Sequence, residues 1–231
     1  ISRIKEIKTS YYVNTQTVSY NSVLYYYENG LVSSCLTYSY NQSSGGSNDK
    51  QSFIYQNGKI VQIDESYMVS TSSGPSFWST PTPYVCTYSG DLISTITGNP
   101  SPTSSIMSTY SYNNSGQMIN SVKSYINNNT TSNNTYNYQY YPDGNLYKKT
   151  SLTPYGTYVN TFYSYDNKNN PYRLGGFTME YLAMNTISVN NPTAKDFETN
   201  VVFEYNAFDY PIKRTAYVNG NIDSITIYTY E

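Results

Sequence analysis

Few residues in this chain could carry acid–base or nucleophilic chemistry, and their spacing does not favour it. There is no histidine among the 231 residues, which removes the usual general base and the commonest transition-metal ligand. A Ser-His-Asp or Cys-His arrangement is therefore impossible. Cys35 and Cys86 are too few for a zinc site; they either form one disulfide or stay as buried thiols. Paired carboxylates remain, the arrangement that a glycosidase needs. Asp64 and Glu65 adjoin in sequence, so on a strand they point to opposite faces. Asp196 and Glu198 share a face if extended, and otherwise read as solvated charges beside a loop. Asp49 and Asp143 lack the dense carboxylate spacing of a calcium loop. No phosphate-cradling glycine motif precedes a helix. The chain is expected not to be an enzyme and to use neither metal nor cofactor.

Binding chemistry is better represented. Phe77-Trp78 holds the one tryptophan, inside a long polar segment from Ser70 to Pro83, with Tyr84 at its exit. Tyr155, between Pro154 and Gly156, is a second loop aromatic. Aromatic faces stack on sugars or planar groups, and exposed clusters mark interaction sites. Folding back over a sheet is the competing fate of Trp78. Phe77, Trp78, Tyr84 and Tyr155 are the candidate ligand-binding residues, with a surface glycan or a protein complex as partner. Nucleic acid is a poor fit, because 13 basic residues against 15 acidic ones leave a net charge of -2.

The elements that must hold these residues follow from a repeat. Tyr25-Tyr26-Tyr27-Glu28-Asn29-Gly30 is followed by Phe53-Ile54-Tyr55-Gln56-Asn57-Gly58 and by Thr87-Tyr88-Ser89-Gly90. It returns as Tyr110-Ser111-Tyr112-Asn113-Asn114-Ser115-Gly116 and as Tyr138-Gln139-Tyr140-Tyr141-Pro142-Asp143-Gly144. Two later copies, Tyr165 to Pro171 and Phe203-Glu204-Tyr205 to Pro211, replace the glycine by proline. A strand, a turn and a second strand repeated at this spacing are one stacked hairpin unit. Asn29-Gly30, Asn57-Gly58 and Asp143-Gly144 are read as type I′ turns.

Alternation supports the strands: Tyr136, Tyr138 and Tyr140 share one face, as do Val201, Phe203 and Tyr205. Tyrosine, at 31 residues, suits a half-buried pleated surface with ring faces packed and hydroxyls reaching backbone or water. The segments Asn41 to Lys50, Ser70 to Pro83, Gly98 to Ser105 and Asn127 to Thr135 are read as longer polar loops. The expected fold is one all-β domain over 1–231, an antiparallel hairpin meander of roughly 14–16 strands. So many strands curl or close, so a closed or nearly closed barrel is expected, with a curled open sheet as the alternative. One short helix is expected near 176–184, after Gly175-Gly176, either plugging a barrel mouth or packing on a rim.

Tyr163-Ser164-Tyr165-Asp166-Asn167-Lys168-Asn169-Asn170-Pro171-Tyr172 resembles a recurring segment of uncharacterised surface lipoproteins from Bacteroidetes, a group described as having a porin-like fold. Phe203-Glu204-Tyr205-Asn206-Ala207-Phe208-Asp209-Tyr210-Pro211-Ile212-Lys213-Arg214 resembles it too. More distantly, the Tyr165-Asp166 unit is similar to the tyrosine–aspartate repeats of Rhs-type secreted shells. The first resemblance implies export to the cell surface or outer membrane of a Gram-negative bacterium and a lipid anchor outside this chain, and the start at Ile1 without Met is read as a removed leader. It implies a binding or accessory role in an outer-membrane assembly and supplies no catalytic residues. Asp223-Ser224-Ile225 is similar to the O-glycosylation acceptor of such bacteria, which implies modification at Ser224. A transmembrane β-barrel is the other membrane reading, although no continuous lipid-facing apolar band is evident.

Overall fold

The computed structural model describes residues 3–13, 16–70, 76–128, 130–175, 188–196 and 200–231. Its strands are β1 (Ile4–Val13), β2 (Gln16–Glu28), β3 (Leu31–Asn41), β4 (Gly45–Gln56), β5 (Lys59–Val69) and β6 (Phe77–Trp78). They continue as β7 (Thr82–Ser89), β8 (Leu92–Ser101), β9 (Ser104–Tyr112), β10 (Met118–Asn127), β11 (Thr130–Tyr140) and β12 (Leu146–Thr153). The last are β13 (Gly156–Tyr165), β14 (Pro192–Lys195), β15 (Asn200–Tyr205), β16 (Pro211–Val218) and β17 (Asn221–Tyr230). The fold is all-β, with seventeen antiparallel strands among the described residues. The count exceeds the expected range because the two-residue β6 and the four-residue β14 are strands in their own right.

Among the described residues each strand pairs with its neighbour along the chain except at two places: β6 and β7 both pair with β5 and not with each other, and β14 does not pair with β15. The last strand, β17, returns to pair with β1 from Ile4↔Tyr230 to Tyr11↔Ser224. That pairing closes the sheet into a nearly complete barrel and removes its outer edges. One seam is unsealed: among the described residues β14 pairs with β13 and β15 pairs with β16, and no ladder joins β14 to β15.

Register sorts the side chains onto two faces. The enclosed face carries Ile7, Tyr25, Cys35, Phe53, Ile63, Tyr84, Cys86, Ile96, Tyr110, Tyr138, Phe162 and Tyr228, all buried. These sit mainly near one rim, which we call the tight-turn rim. Asn29-Gly30 and Asn57-Gly58 stand there with φ values of 50°/85° and 51°/75°, the two positive angles of a type I′ turn. Asp143-Gly144 differs from the expected I′ turn. It lies in a longer connection in which Tyr141 N donates to Asn145 O (2.8 Å) and only Gly144 is left-handed, at φ 88°. A further I′ turn, Asn219-Gly220 at φ 50°/79°, lies on the opposite, far rim.

The polar segments around 41–50, 98–105 and 127–135 are mostly strand rather than loop, since β4 starts at Gly45, β8 runs to Ser101 and β11 starts at Thr130. Ser, Asn and Gly have weak strand preference, but neighbours on both sides satisfy their backbone groups, and context overrides propensity. The connection between β5 and β7 remains long.

The repeat has a physical basis in the tyrosine that ends each descending strand. Its hydroxyl donates to the backbone carbonyl of the apolar residue that begins the strand before it. Tyr27 reaches Ile4 O (2.8 Å), Tyr55 reaches Val32 O (2.9 Å), Tyr88 reaches Ile60 O (2.9 Å) and Tyr112 reaches Ile93 O (2.9 Å). Tyr140 reaches Met118 O (2.6 Å), Tyr165 reaches Leu146 O (2.6 Å) and Tyr230 reaches Pro211 O (2.7 Å). A β-bulge accompanies most copies, as between Tyr26 and Tyr27, Ile54 and Tyr55, and Thr87 and Tyr88. Bulges displace a carbonyl from the ladder, and the tyrosine hydroxyl satisfies the backbone there.

The copy at the seam departs from this rule. Tyr205, at the end of β15, donates to the Asp166 carboxylate. Asp166 also accepts from the backbone N–H groups of Lys168 (3.0 Å) and Asn191 (3.1 Å). Lys168 Nζ pairs with Asp209 at 2.8 Å, and Asn169 N donates to Asp209 O at 3.1 Å. Side chains and turns thus latch the seam at the tight-turn rim.

The segment between β13 and β14 supplies that latch. It opens with a 3-10 turn, Pro171–Gly175. Tyr172 packs edge-on against Tyr228 at 6.1 Å between ring centroids. Ser188 Oγ accepts from Leu146 N at 3.1 Å. The described part therefore bridges β12 to β17 across the seam, packed on one rim. The helix expected at 176–184 lies outside the described residues.

Two outcomes follow. Removing the Tyr88 hydroxyl as Tyr88→Phe leaves the Ile60 carbonyl short of a donor and is expected to cost about 1 kcal/mol, read as a lowered urea midpoint, while the exposed Tyr26→Phe leaves it unchanged. Alkali should also unfold the protein. Burial pushes Tyr27, Tyr55, Tyr112 and Tyr165 up to about 12 from an ordinary value of 10.0. The unfolded chain releases these protons first, so their contribution is whole below pH 10 and is lost as pH rises toward about 12. Circular dichroism should be lost in the same window in which the rings of Tyr27, Tyr55, Tyr112 and Tyr165, resolved by NMR, ionise; ionisation of these four near 10 with the fold intact contradicts it.

Candidate functional site

Above the apolar layer, toward the far rim, the enclosed face turns polar and is only half-buried. The β4–β5 wall shows how. Alternation that puts Phe53 and Ile63 in the core puts Gln51, Asp49, Glu65 and Tyr67 on the same face, one and two steps higher. Gln51 and Glu65 are direct cross-strand partners, and Gln51 Nε2 donates to Glu65 Oε1 at 3.0 Å. Asp49 stands opposite Tyr67. Asp64 faces outward and accepts from Gln62 at 2.7 Å, so Asp64 and Glu65 do point to opposite faces.

Tyr84, on β7, forms the floor of this wall. It pairs with Ile63 on one side and with Gly98 on the other. A side chain at Gly98 would meet the Tyr84 ring at 2.4 Å, so the ring lies flat over the glycine backbone. Its hydroxyl lies near the Glu65 carboxylate. Burial, with the Glu65 charge adding to it and Lys123 opposing, pushes Tyr84 up to about 12. Asp49 is also raised, first by burial and then by Glu65. On the other side of the mouth, lysines lie over tyrosine rings: Lys149 over Tyr136 at 4.4 Å and Lys123 over Tyr125 at 5.2 Å.

The rim above the β4–β5 wall is aromatic. Strand β6 docks on the end of β5 through Met68↔Trp78 and Val69↔Phe77. Cross-strand partners share a face, so Phe77 sits on the Tyr67 side and Trp78 on the outer side. Ser79 fixes the segment, its N–H donating to Tyr67 O at 2.8 Å and its Oγ accepting from Tyr67 N at 3.0 Å. Tyr67 is 59% exposed, Phe77 54% and Trp78 36%.

The structure thus puts two of the four candidate aromatics, Phe77 and Tyr84, on the inner face of one wall and Trp78 on its outer face. Tyr155 belongs to the β12–β13 turn and is 91% exposed, away from that wall. Ser224 lies inward on β17 and is 3% exposed. Asp196 accepts from Thr161 N (2.5 Å) and from the Tyr163 hydroxyl (2.6 Å); Glu198 lies outside the described residues. Sequence reading missed Asp49, Gln51 and Tyr67 as partners of this wall, although parity with Phe53 and Ile63 was the available signal. Among the described residues no group of three or more Cys, Asp or Glu is placed to hold a metal ion. A shallow cleft of about 610 Å³ at the tight-turn rim lies between the 113–117 and 141–144 turns. Its Asn113 and Asp143 side chains are used in bonds within their own turns.

No protein-family model matches the chain, and no curated protein matches it. Among solved structures it is similar to a porin-like protein from Bacteroides uniformis, with 12% identity over 99% of this chain and 98% of the other at a TM-score of 0.42. It is similar to a porin-like protein from Bacteroides vulgatus at 12% identity, over 100% and 99% of the two chains, with a TM-score of 0.45. A chain of the TcdB2-TccC3-Cdc42 structure matches 94% of this chain with 12% of its own length, at 13% identity and a TM-score of 0.38.

Both cysteines are free and buried. Burial pushes the Cys35 thiol up to about 12 and the Cys86 thiol up to about 11. Neither should react with a disulfide reagent at pH 8 in the native protein, and both should react in denaturant; rapid native labelling of either one contradicts the placement.

Proposed function

We propose that the chain is a non-enzymatic binding module displayed at the surface of a Gram-negative bacterium, and that its ligand enters at the far rim beside β4–β7. The observation that carries this reading is the stacking of two layers on one wall. Exposed Tyr67 and Phe77 lie directly above the hydrogen-bonded Gln51–Glu65 pair. A rigid wall with aromatic faces above oriented polar groups is the usual make-up of a ligand site.

Composition supports display outside the cytosol: low charge with abundant Asn, Ser, Thr and Tyr. A lipid anchor outside this chain, and an accessory place in an outer-membrane assembly, are the surroundings this reading adopts. The outer wall is mixed. Exposed Ile54, Val85, Met107 and Ile227 alternate with Asn120 bonded to Asn137 (2.9 Å), Thr87 bonded to Thr95 (2.7 Å) and Lys213 paired with Glu204 (2.8 Å). These polar pairs interrupt the continuous apolar band of a lipid-facing wall.

The test is capture from the native envelope by the immobilised protein, using polysaccharide and detergent-solubilised outer-membrane protein fractions separately. Saturable binding to one fraction, weakened at least tenfold by Phe77→Ala together with Trp78→Ala, is expected. Binding to neither fraction, or binding indifferent to both substitutions, overturns the proposal.

A further inference from the structure

Resting on that reading of the same wall, we propose that the ligand is an uncharged oligosaccharide. A sugar ring stacks on Tyr67 and Phe77, and its hydroxyls are read by Asp49, Gln51 and Glu65. The chemistry of the wall selects this class. Tyr67 and Phe77 present apolar faces on one side of the sheet, on adjoining strands, with Phe77 opposite the residue two positions beyond Tyr67. Such faces take the C–H side of a pyranose.

The groups beneath the rings are chiefly acceptors. Glu65 takes one bond from Gln51 Nε2 at 3.0 Å and has the Tyr84 hydroxyl near it. A carboxylate offers about four lone-pair sites, so Glu65 still has acceptor capacity for vicinal hydroxyls. Tyr84 lies below it, its ring packed over the bare Gly98 backbone. Asp49, beside Tyr67, adds a second carboxyl at the level of the ring.

Charge excludes the neighbouring classes. Two carboxyl groups side by side repel uronic acids, phosphates and sulfates. Lys123 over the Tyr125 ring (5.2 Å) and Lys149 over the Tyr136 ring (4.4 Å) face the same mouth, so the mouth carries both signs of charge and is no trap for cations. A ligand rich in hydroxyls and free of charge meets both conditions.

The experiment is isothermal titration of the full chain with three sets of defined oligosaccharides: neutral hexose oligomers, uronic-acid oligomers and amino-sugar oligomers. Binding confined to the neutral set is expected, weakened at least tenfold by Tyr67→Ala and by Glu65→Gln, and unchanged by Tyr155→Ala at the distant turn. Circular dichroism of each variant separates lost binding from lost fold, and Tyr67→Phe, which keeps the ring, should retain affinity. Preference for the uronic-acid or amino-sugar set overturns the inference, as does neutral binding indifferent to Tyr67→Ala. Binding to none of the three while envelope protein is still captured overturns the sugar assignment and leaves the binding-module reading standing. Failure of both experiments removes the two together.

Discussion

The structure depends on a hydrogen bond from a tyrosine hydroxyl to the backbone carbonyl that opens the preceding strand. Each bond is modest, worth about 1 kcal/mol net. Its force comes from repetition and position. It falls beside a bulge, where the ladder leaves a carbonyl short of a partner, and it covers that carbonyl with an aromatic ring. Tyr27 closes the circle by reaching Ile4, whose own strand pairs with the last one. The same side chain therefore supplies the thin apolar core, satisfies the backbone and sets the length of the repeat.

This economy explains a composition that looks unsuited to a folded domain. Leucine and valine are scarce, and the buried layer is one side chain deep along most strands. Tyrosine fills it because each ring has a polar end with somewhere to go. At Tyr205 the rule meets an interrupted sheet, and Asp166 takes the place of the missing carbonyl. A carboxylate, a lysine and a run of asparagines latch the barrel where no ladder does. That latch leaves the far rim to carry exposed aromatic residues without weakening the closure.

Much of the fold was legible in the chain. Tyrosine, a turn and glycine at regular spacing predict stacked hairpins, and the number of hairpins predicts curling. The type I′ turns at Asn29-Gly30 and Asn57-Gly58 are readable because only a few residues tolerate their positive φ. The polar strands around 41–50 and 127–135 were not legible, since their pairing comes from neighbours rather than from their own side chains. The wall was half legible. Phe77 and Trp78 stand out by type, whereas Asp49, Gln51, Glu65 and Tyr67 become a group only through the β4–β5 register. Tyr84 stands in sequence at the exit of the long polar segment, and its place as the buried floor of the wall follows from its neighbour across the strand being a glycine.

Amide hydrogen exchange, resolved strand by strand, tests the central claim most directly. If tyrosine hydroxyls hold the barrel together, the slowest amides will lie at the tight-turn ends of the strands next to Ile4, Val32, Ile60, Met118 and Leu146, and the fastest strand amides will lie in β14 and β15 at the seam. Protection that is uniform around the barrel, or greatest at the far rim, would contradict the account.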